Sequence, residues 1–453
     1  MNKPSLNPDA ESLALWALDE AVRQGASSAD VLYSETSGNS VSMKDGVVEE
    51  SVSGFNAGIG VRTIMSDGRQ GIAYGSRLDI QAVRSLVEWS IFNCRNSEPE
   101  EGIMLYDGKL EEDPSVALED ERIAQITPKM RLEMCLNMTE LAKSKDGRVV
   151  SVRSAAWSDG WGSSFYCTTT GLAGWERVSS ASCGVLVLAQ EGDFTEIGGY
   201  NMESRRLDEL DVGKTAALAV SRTVSALGGT PMPTGVYTIM IEPEAASALV
   251  DVVGDLFCAS DVHKGRSLMK DRLGSAVASS CVTLTDDGRL PWKAGSGSWD
   301  SEGVPTGRTV LIKNGTAQSY LYNLQYAWKD GVRSTGNACR SMSSLPDVGT
   351  TNVFLEGGSE SAESLLARIK SGLYVTEFMG LHTIDPVSGD FSIGAKGLAI
   401  ENGELTKPVC GVTIASNIMN FLRDIAAAGS DVEFFGAVGA PALVVENVVI
   451  AGE

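Results

Sequence analysis

ADVLYSETSGNSVSMKDGVVEESVSG, residues 29–54, alternates apolar and polar positions on both sides of Lys44-Asp45-Gly46. A period of two marks strands, and Asp-Gly between two such runs marks a hairpin turn. GIGVRTIMSDGRQGIAYGS (58–76) repeats the pattern around Asp67-Gly68. Helical spacing surrounds these hairpins. Asp9 is placed to cap a helix over 10–24, whose apolar face is Leu13, Leu15, Trp16, Leu18 and Val22, with Gly25 ending it. Further helices are expected over 78–94, 127–144 and 210–227, with strands from about 148 to 188. The order helix, hairpin, hairpin, helix, helix, strands, helix is α+β rather than a strict βαβ alternation.

GGTPMPTGVY (228–237) combines Gly and Pro without periodicity and reads as a boundary. Two domains are expected: an N-terminal α/β domain of helices and hairpins over 1–228, and a β-rich, barrel-like domain over 229–453. In the second, VYTIMI is a strand that feeds a helix at about 243–258. Beyond it lie many turns, including Asp286-Asp287-Gly288, Asn314-Gly315, Gly357-Gly358 and Asn402-Gly403, with helices near 360–371 and 417–428. Regular turn signals in a strand-rich half suggest a curled or barrel-like sheet.

Of the 453 residues, 43% are hydrophobic and 21% charged, the balance of a water-exposed globular chain. The net charge of −22 argues against direct nucleic-acid binding, which needs a basic footprint. The nearest grouping, Lys143, Lys145 and Arg148, is short and broken by Asp146. No apolar run approaches the roughly 18 residues of a membrane span, so no membrane partner is expected. MNKPSLNPDAES lacks the basic start and apolar core of a signal peptide. The eight cysteines are dispersed with no C-x-x-C pair, which suits reduced, mostly buried thiols. These features point to the cytoplasm.

Standard catalytic motifs are missing: no phosphate loop, no dinucleotide fingerprint and no G-x-S-x-G elbow, since GSGSW at 295–299 has the wrong spacing. Histidine is scarcer still, with only His263 and His382. A hydrolytic zinc site usually takes three protein ligands, most of them histidine. The most suggestive stretch is ALVDVVGDLF (248–257). Leu249, Val252, Val253 and Leu256 mark an apolar face. Asp251 and Asp255 stand one turn apart on the other side, and Cys258 continues that stripe. Such a stripe, helped by His263, could hold a cation, because Mg²⁺ and Ca²⁺ take oxygen ligands. A helix surface alone supplies too few of them, and the plainer reading is a polar side facing solvent or a partner. Glu242-Pro243-Glu244 reads as ordinary helix-start chemistry.

Several blocks together resemble the TldD/PmbA (TldE) family, often called modulators of DNA gyrase and grouped as peptidase family U62. They are residues 58–79, LTDDGRLP (284–291), SEGVPTGRTVLIKNG (301–315), STGNACR (334–340), 380–409 and APALVVENV (440–448). In the family's TldD branch, H-E-x-x-x-H on the helix after the first strand of the C-terminal domain binds the metal. Here Val250 stands at the first histidine, Asp251 at the glutamate and Asp255 at the second histidine. The TldD branch also has a cysteine-bearing insertion near the C-terminus. GSDVEFFGAVGAPALVVENV (429–448) runs through that region without cysteine.

Both departures resemble the PmbA/TldE branch. The resemblance implies a subunit without its own catalytic residues or metal, paired with a zinc-bearing TldD-like metallopeptidase in a heterodimer. It also implies an unfolded peptide held as an extended strand, where main-chain pairing gives affinity with little sequence selectivity. His382, Asp385, Gly389 and Asp390, in the glycine-rich 380–397 segment, are then candidates for a peptide cleft or partner contact. Plain turn geometry explains those glycines equally well. Two rival readings stay open: a stand-alone metal-dependent peptidase using Asp251, Asp255 and either His263 or Cys258, and a homodimeric peptide-binding or regulatory module.

Overall fold

The computed structural model of the chain describes residues 7–453. The first half of the segment read as lacking a signal peptide, residues 1–6, lies outside the described residues. Helix α1 (Pro8–Arg23) is capped by Asn7, whose side chain accepts the N–H of Ala10 at 3.1 Å. The expected cap, Asp9, falls instead in the first turn, where its charge suits the helix dipole. The hairpin of 29–54 forms as β1 (Ser28–Lys44) and β2 (Val47–Ile64), and Asp45 and Gly46 both take positive φ at its turn. Then follow β3 (Gln70–Gly75), α2 (Ile80–Arg95), α3 (Pro128–Lys145), β4 (Val149–Thr168), β5 (Ala173–Glu191), β6 (Phe194–Ser204) and α4 (Val212–Ser225).

The six strands make one antiparallel sheet in the order β3-β2-β1-β4-β5-β6. Alternation sorts its side chains. Ala29, Val31 and Tyr33 of β1 pack with residues of α1 and α2 at one end. Val41 and Met43, further along the strand, pack with residues of α3 and α4 at the other.

The C-terminal half begins with β7 (Gly235–Ile241), α5 (Pro243–Asp255) and α6 (Ala259–His263). A smaller sheet is assembled from β8 (Leu284–Asp287), β9 (Arg308–Lys313) and β10 (Thr316–Ala317). After α7 (Leu324–Asp330) comes the short pair β11 (Ala338–Cys339) and β12 (Asp347–Val348), then β13 (Val353–Leu355), which joins the smaller sheet. Next come α8 (Ala362–Leu366), β14 (Ser371–Met379), β15 (Asp390–Glu401), β16 (Glu404–Asn417), α9 (Ile418–Arg423) and β17 (Ile425–Ala428). The chain ends with β18 (Glu433–Phe435), β19 (Val438–Ala440) and β20 (Leu443–Ala451).

The third sheet runs β16-β15-β14-β7-β20-β17, and a further β16–β20 pairing closes five of its strands into a barrel. The architecture is therefore α+β, with a β-rich C-terminal half. Two expected helices are shorter than their sequence pattern. The 360–371 helix stops at Leu366, and β14 begins at Ser371. The 417–428 helix stops at Arg423, because Ile425 and Ala428 pair with Val445 and Leu443 of β20. Ladder pairing overrides the helical preference of the alanine run there. Among the described residues, no helix is long and apolar enough to cross a membrane.

Candidate functional site

The candidate site is built around α5. Its backbone leaves β7 at Glu242, whose N–H bonds the Val375 carbonyl at 3.0 Å, and Pro243 fits the first helical position. Ala246, Leu249, Val250 and Val253 are buried against the barrel and the smaller sheet. The buried face thus includes Val250, while Val252, assigned to it from sequence, is only half-buried. Gly254 has a packing reason: a Cβ there would sit 2.9 Å from Val353 Cγ2.

Asp251 and Asp255 both reach solvent. Desolvation by the crowded rim raises the Asp251 carboxyl above its ordinary range. The same effect, with the charges of Asp251 and Asp261, pushes Asp255 up to about 6. Cys258 does not extend the stripe. The helix ends at Asp255, and Cys258 is buried at the start of α6, where burial raises its thiol far above the usual range. His263 is tied down: its Nε2 lies 2.7 Å from Asp330 Oδ1, which belongs to a carboxylate that also accepts the Tyr322 hydroxyl at 2.9 Å. Its ring packs 5.3 Å from that of Tyr326.

A zinc ion at this place would need converging lone pairs. Val250 offers none and faces the core. Asp251 and Asp255 face outward, Cys258 inward, and His263 is held by Asp330. Among the described residues, no group of three or more His, Cys, Asp or Glu converges to hold a metal ion. The donor set does not fit histidine-ligated zinc.

The 380–390 loop joins β14 to β15. Its 3₁₀ turn, Leu381–Thr383, carries His382 into solvent. Asp385 accepts the N–H groups of Val387 and Ser388 at 2.8 and 3.2 Å, which hold its carboxyl below the ordinary range. Asp390 accepts from the Asn417 amide at 2.8 Å. Gly389 has φ +80°, and a Cβ there would lie 2.8 Å from Leu268 Cδ2, so turn geometry demands glycine.

Two clusters unread in the sequence join the halves of the molecule. In the first, Asp30 of β1 accepts from Arg62 of β2 at 2.7 Å and from Arg340 at 2.6 Å, all three buried. Glu302 lies 3.9 Å from Arg62, and the Arg340 guanidinium sits 5.5 Å from the centre of the Tyr166 ring. Burial pushes the Asp30 carboxyl up, but Arg340 and Arg62 outweigh it and hold the group below its ordinary range. The available signal was positional, since Arg62, Glu302 and Arg340 each fall in a separate family-like block.

In the second cluster, Arg222 of α4 pairs with Glu242 at 2.9 Å and with Glu244. Lys396 of β15 reaches Glu377 at 2.6 Å and Glu196 of β6 at 3.6 Å. Burial, against the pull of Arg222, pushes Glu242 up to about 7. Glu242 is therefore more than part of a helix start: it is a buried partner of the N-terminal half.

A long antiparallel sheet roofed by two helix pairs, joined to a small closed barrel whose first strand feeds α5, is also found in solved proteins. A Thermotoga maritima protein described as a modulator of a DNA gyrase superposes with a TM-score of 0.89 at 25% identity, over 97% of this chain and 100% of that one. TldE from Thermococcus kodakarensis shares the fold, with a TM-score of 0.88 at 23% identity over 98% of this chain and 100% of its own. In sequence, Metalloprotease PmbA of Escherichia coli O157:H7 is 27% identical over 430 residues, 94% of this chain and 92% of the relative.

Profiles of the PmbA/TldA metallopeptidase match in three consecutive pieces: domain 1 at 29–94, the central domain at 121–227 and the C-terminal domain at 234–452. The chain belongs to the PmbA/TldD metallopeptidase family.

Proposed function

We propose that the chain is a PmbA/TldE-like subunit without catalytic residues or metal of its own, which pairs with a zinc-bearing TldD-like metallopeptidase to process or degrade unfolded peptides. One observation carries this reading: Val250, at the place of the motif's first histidine, is an apolar side chain buried in the core. A ligand there would need both a donor and a different side-chain direction. In this reading the 228/229 division separates the two domains, and the protein works in the cytoplasm as a dimer. Asp251, Asp255, His382 and Asp390 then face the partner or an extended peptide rather than a metal.

Co-expression with a TldD-like chain followed by size-exclusion chromatography tests the pairing. The two chains are expected to co-elute, with zinc and peptidase activity confined to the complex. Activity of the lone chain on unfolded peptide, lost in Asp251→Ala and Asp255→Ala, would instead establish the stand-alone peptidase.

A further inference from the structure

Arg205 and Lys293 line a cavity of about 240 Å³ between the N-terminal sheet and the C-terminal half. Its walls also include Ser180 of β5, Glu203 of β6, Trp292 and, from β18, Phe434. Arg205 is only 9% exposed, yet no carboxylate of the described residues comes within 4 Å of its guanidinium. Its Nη1 and Nη2 donate to the carbonyls of Ser296 at 3.0 Å and Ala294 at 2.7 Å. The rest of the N–H fork finds no acceptor among the described residues. Burial pulls this cation below its ordinary value, and the charges of Glu176 and Glu203 offset that only in part. Lys293 is half-buried, with its Nζ 4.6 Å from the centre of the Phe434 ring, and it makes no ion pair among the described residues either.

A chain of net charge −22 has carboxylates to spare, and two cations beside one cavity are left without one. The neighbouring acids have other partners or face water. Glu209 accepts the Ser204 hydroxyl at 2.6 Å and lies 3.6 Å from Arg206. Glu176 accepts the N–H of Ser298 at 2.8 Å, and Glu203 is exposed. Trp292 holds φ +65°, an outlier for a bulky residue. Its N–H fixes it there by donating to the carbonyls of Val116 and Ala117 at 3.1 and 3.2 Å. Backbone strain of this kind collects where ligands are gripped.

We propose that this cavity binds a small phosphate monoester, with its phosphoryl oxygens between the Arg205 fork and Lys293 and the Ser180 hydroxyl beside them. Charge selects phosphate: a monoester carries about −1.5 to −2 near pH 7, which matches two cations, whereas a carboxylate leaves one of them unbalanced. A guanidinium fork and a lysine ammonium are both phosphate-binding groups. The space is smaller than the roughly 300–1,000 Å³ of drug-sized pockets, so the organic part is small, and Trp292 and Phe434 give it an apolar wall. Neither cation belongs to α5 or to the 380–390 loop, so the peptidase-subunit reading stands or falls separately.

Isothermal titration calorimetry of phenyl phosphate into the full chain, in low salt at about pH 7.5, should show saturable binding of one molecule per chain. Benzoate keeps the ring but carries a single charge, and it should bind at least about five-fold more weakly. Lys293→Gln should weaken phenyl phosphate at least about ten-fold, the worth of one charge-assisted hydrogen bond. Its urea midpoint should stay close to wild type, because Lys293 makes no ion pair. Glu203→Gln should tighten binding, because it removes a like charge from the wall. Replacing Arg205 would also free two buried carbonyls, so these two variants carry the test. No saturable binding up to about 10 mM overturns the proposal. So does benzoate binding as tightly as phenyl phosphate, or either variant keeping the wild-type affinity.

Discussion

Replacing Arg340 with methionine removes one cation from a hub where two arginines balance two carboxylates. Asp30, with a fully buried side chain, would keep Arg62 alone, and Arg62 also serves Glu302 at 3.9 Å. The hub would change from neutral to one net negative charge with no water to solvate it. Breaking a buried ion pair from one side costs about 3–5 kcal/mol, and because Arg62 remains, the lower end, about 3 kcal/mol, applies. Urea unfolding followed by tryptophan fluorescence measures the loss. Adding Asp30→Asn restores neutrality, since Arg62 and Glu302 remain. The double variant should therefore recover about 1–2 kcal/mol relative to the sum of the single losses, as expected for residues in one network.

The sign with pH follows from the direction of the shift. The folded-state Asp30 carboxyl titrates below its ordinary value of 3.8. Its contribution is present above that value and is lost as pH falls through the lowered one. The gap between wild type and Arg340→Met should therefore narrow below about pH 4. A loss under about 1 kcal/mol at neutral pH, or strictly additive single losses, would refute the view that this hub clamps the two halves together.

Other substitutions probe the α5 region. Glu242 titrates near 7 instead of 4.5, so wild type should lose stability as pH rises through that window, while Glu242→Gln shows a flatter profile in urea titrations at each pH. Asp255 is raised from 3.8 to about 6, so Asp255→Asn should stabilise the protein above pH 6 and change little below pH 4. The effect is small because the side chain reaches solvent. Gly254→Ala should destabilise by about 1–2 kcal/mol, because overpacking against Val353 exceeds the usual helix gain from removing a glycine. A stabilised variant would show that α5 is free to shift.

Short-range order was readable in the sequence, and long-range closure was not. The turn at Asp45-Gly46 and the alternation beside it give the β1–β2 hairpin, because turn chemistry and period are local. The same hairpin hides its most consequential pair. A one-residue register shift between Ser42 and Met43 sets Asp30 opposite Arg62, and nothing local announces it. The β-rich C-terminal half follows from its turn signals, but closure depends on β16 meeting β20, a pairing between distant segments. Around Ile425–Ala428 the pairing of β17 with β20 overruled a local helical pattern.

At the site, the Asp251/Asp255 stripe was visible from spacing alone. The inward direction of Val250 and the break before Cys258 were not, because they depend on how tightly α5 sits against β13. Arg222 and Glu242, 20 positions apart, meet only because α4, seated on β5 and β6, brings its last turn beside the start of α5.

The most direct test of the account is the zinc content and peptidase activity of the purified chain, alone and after co-purification with a TldD-like chain. The chain alone should carry no stoichiometric zinc and show no turnover, whereas the complex should have both, with a zinc content per complex that Asp251→Ala or Asp255→Ala in this subunit's α5 leaves unchanged. One zinc per chain in the lone protein, released by either substitution, would contradict it.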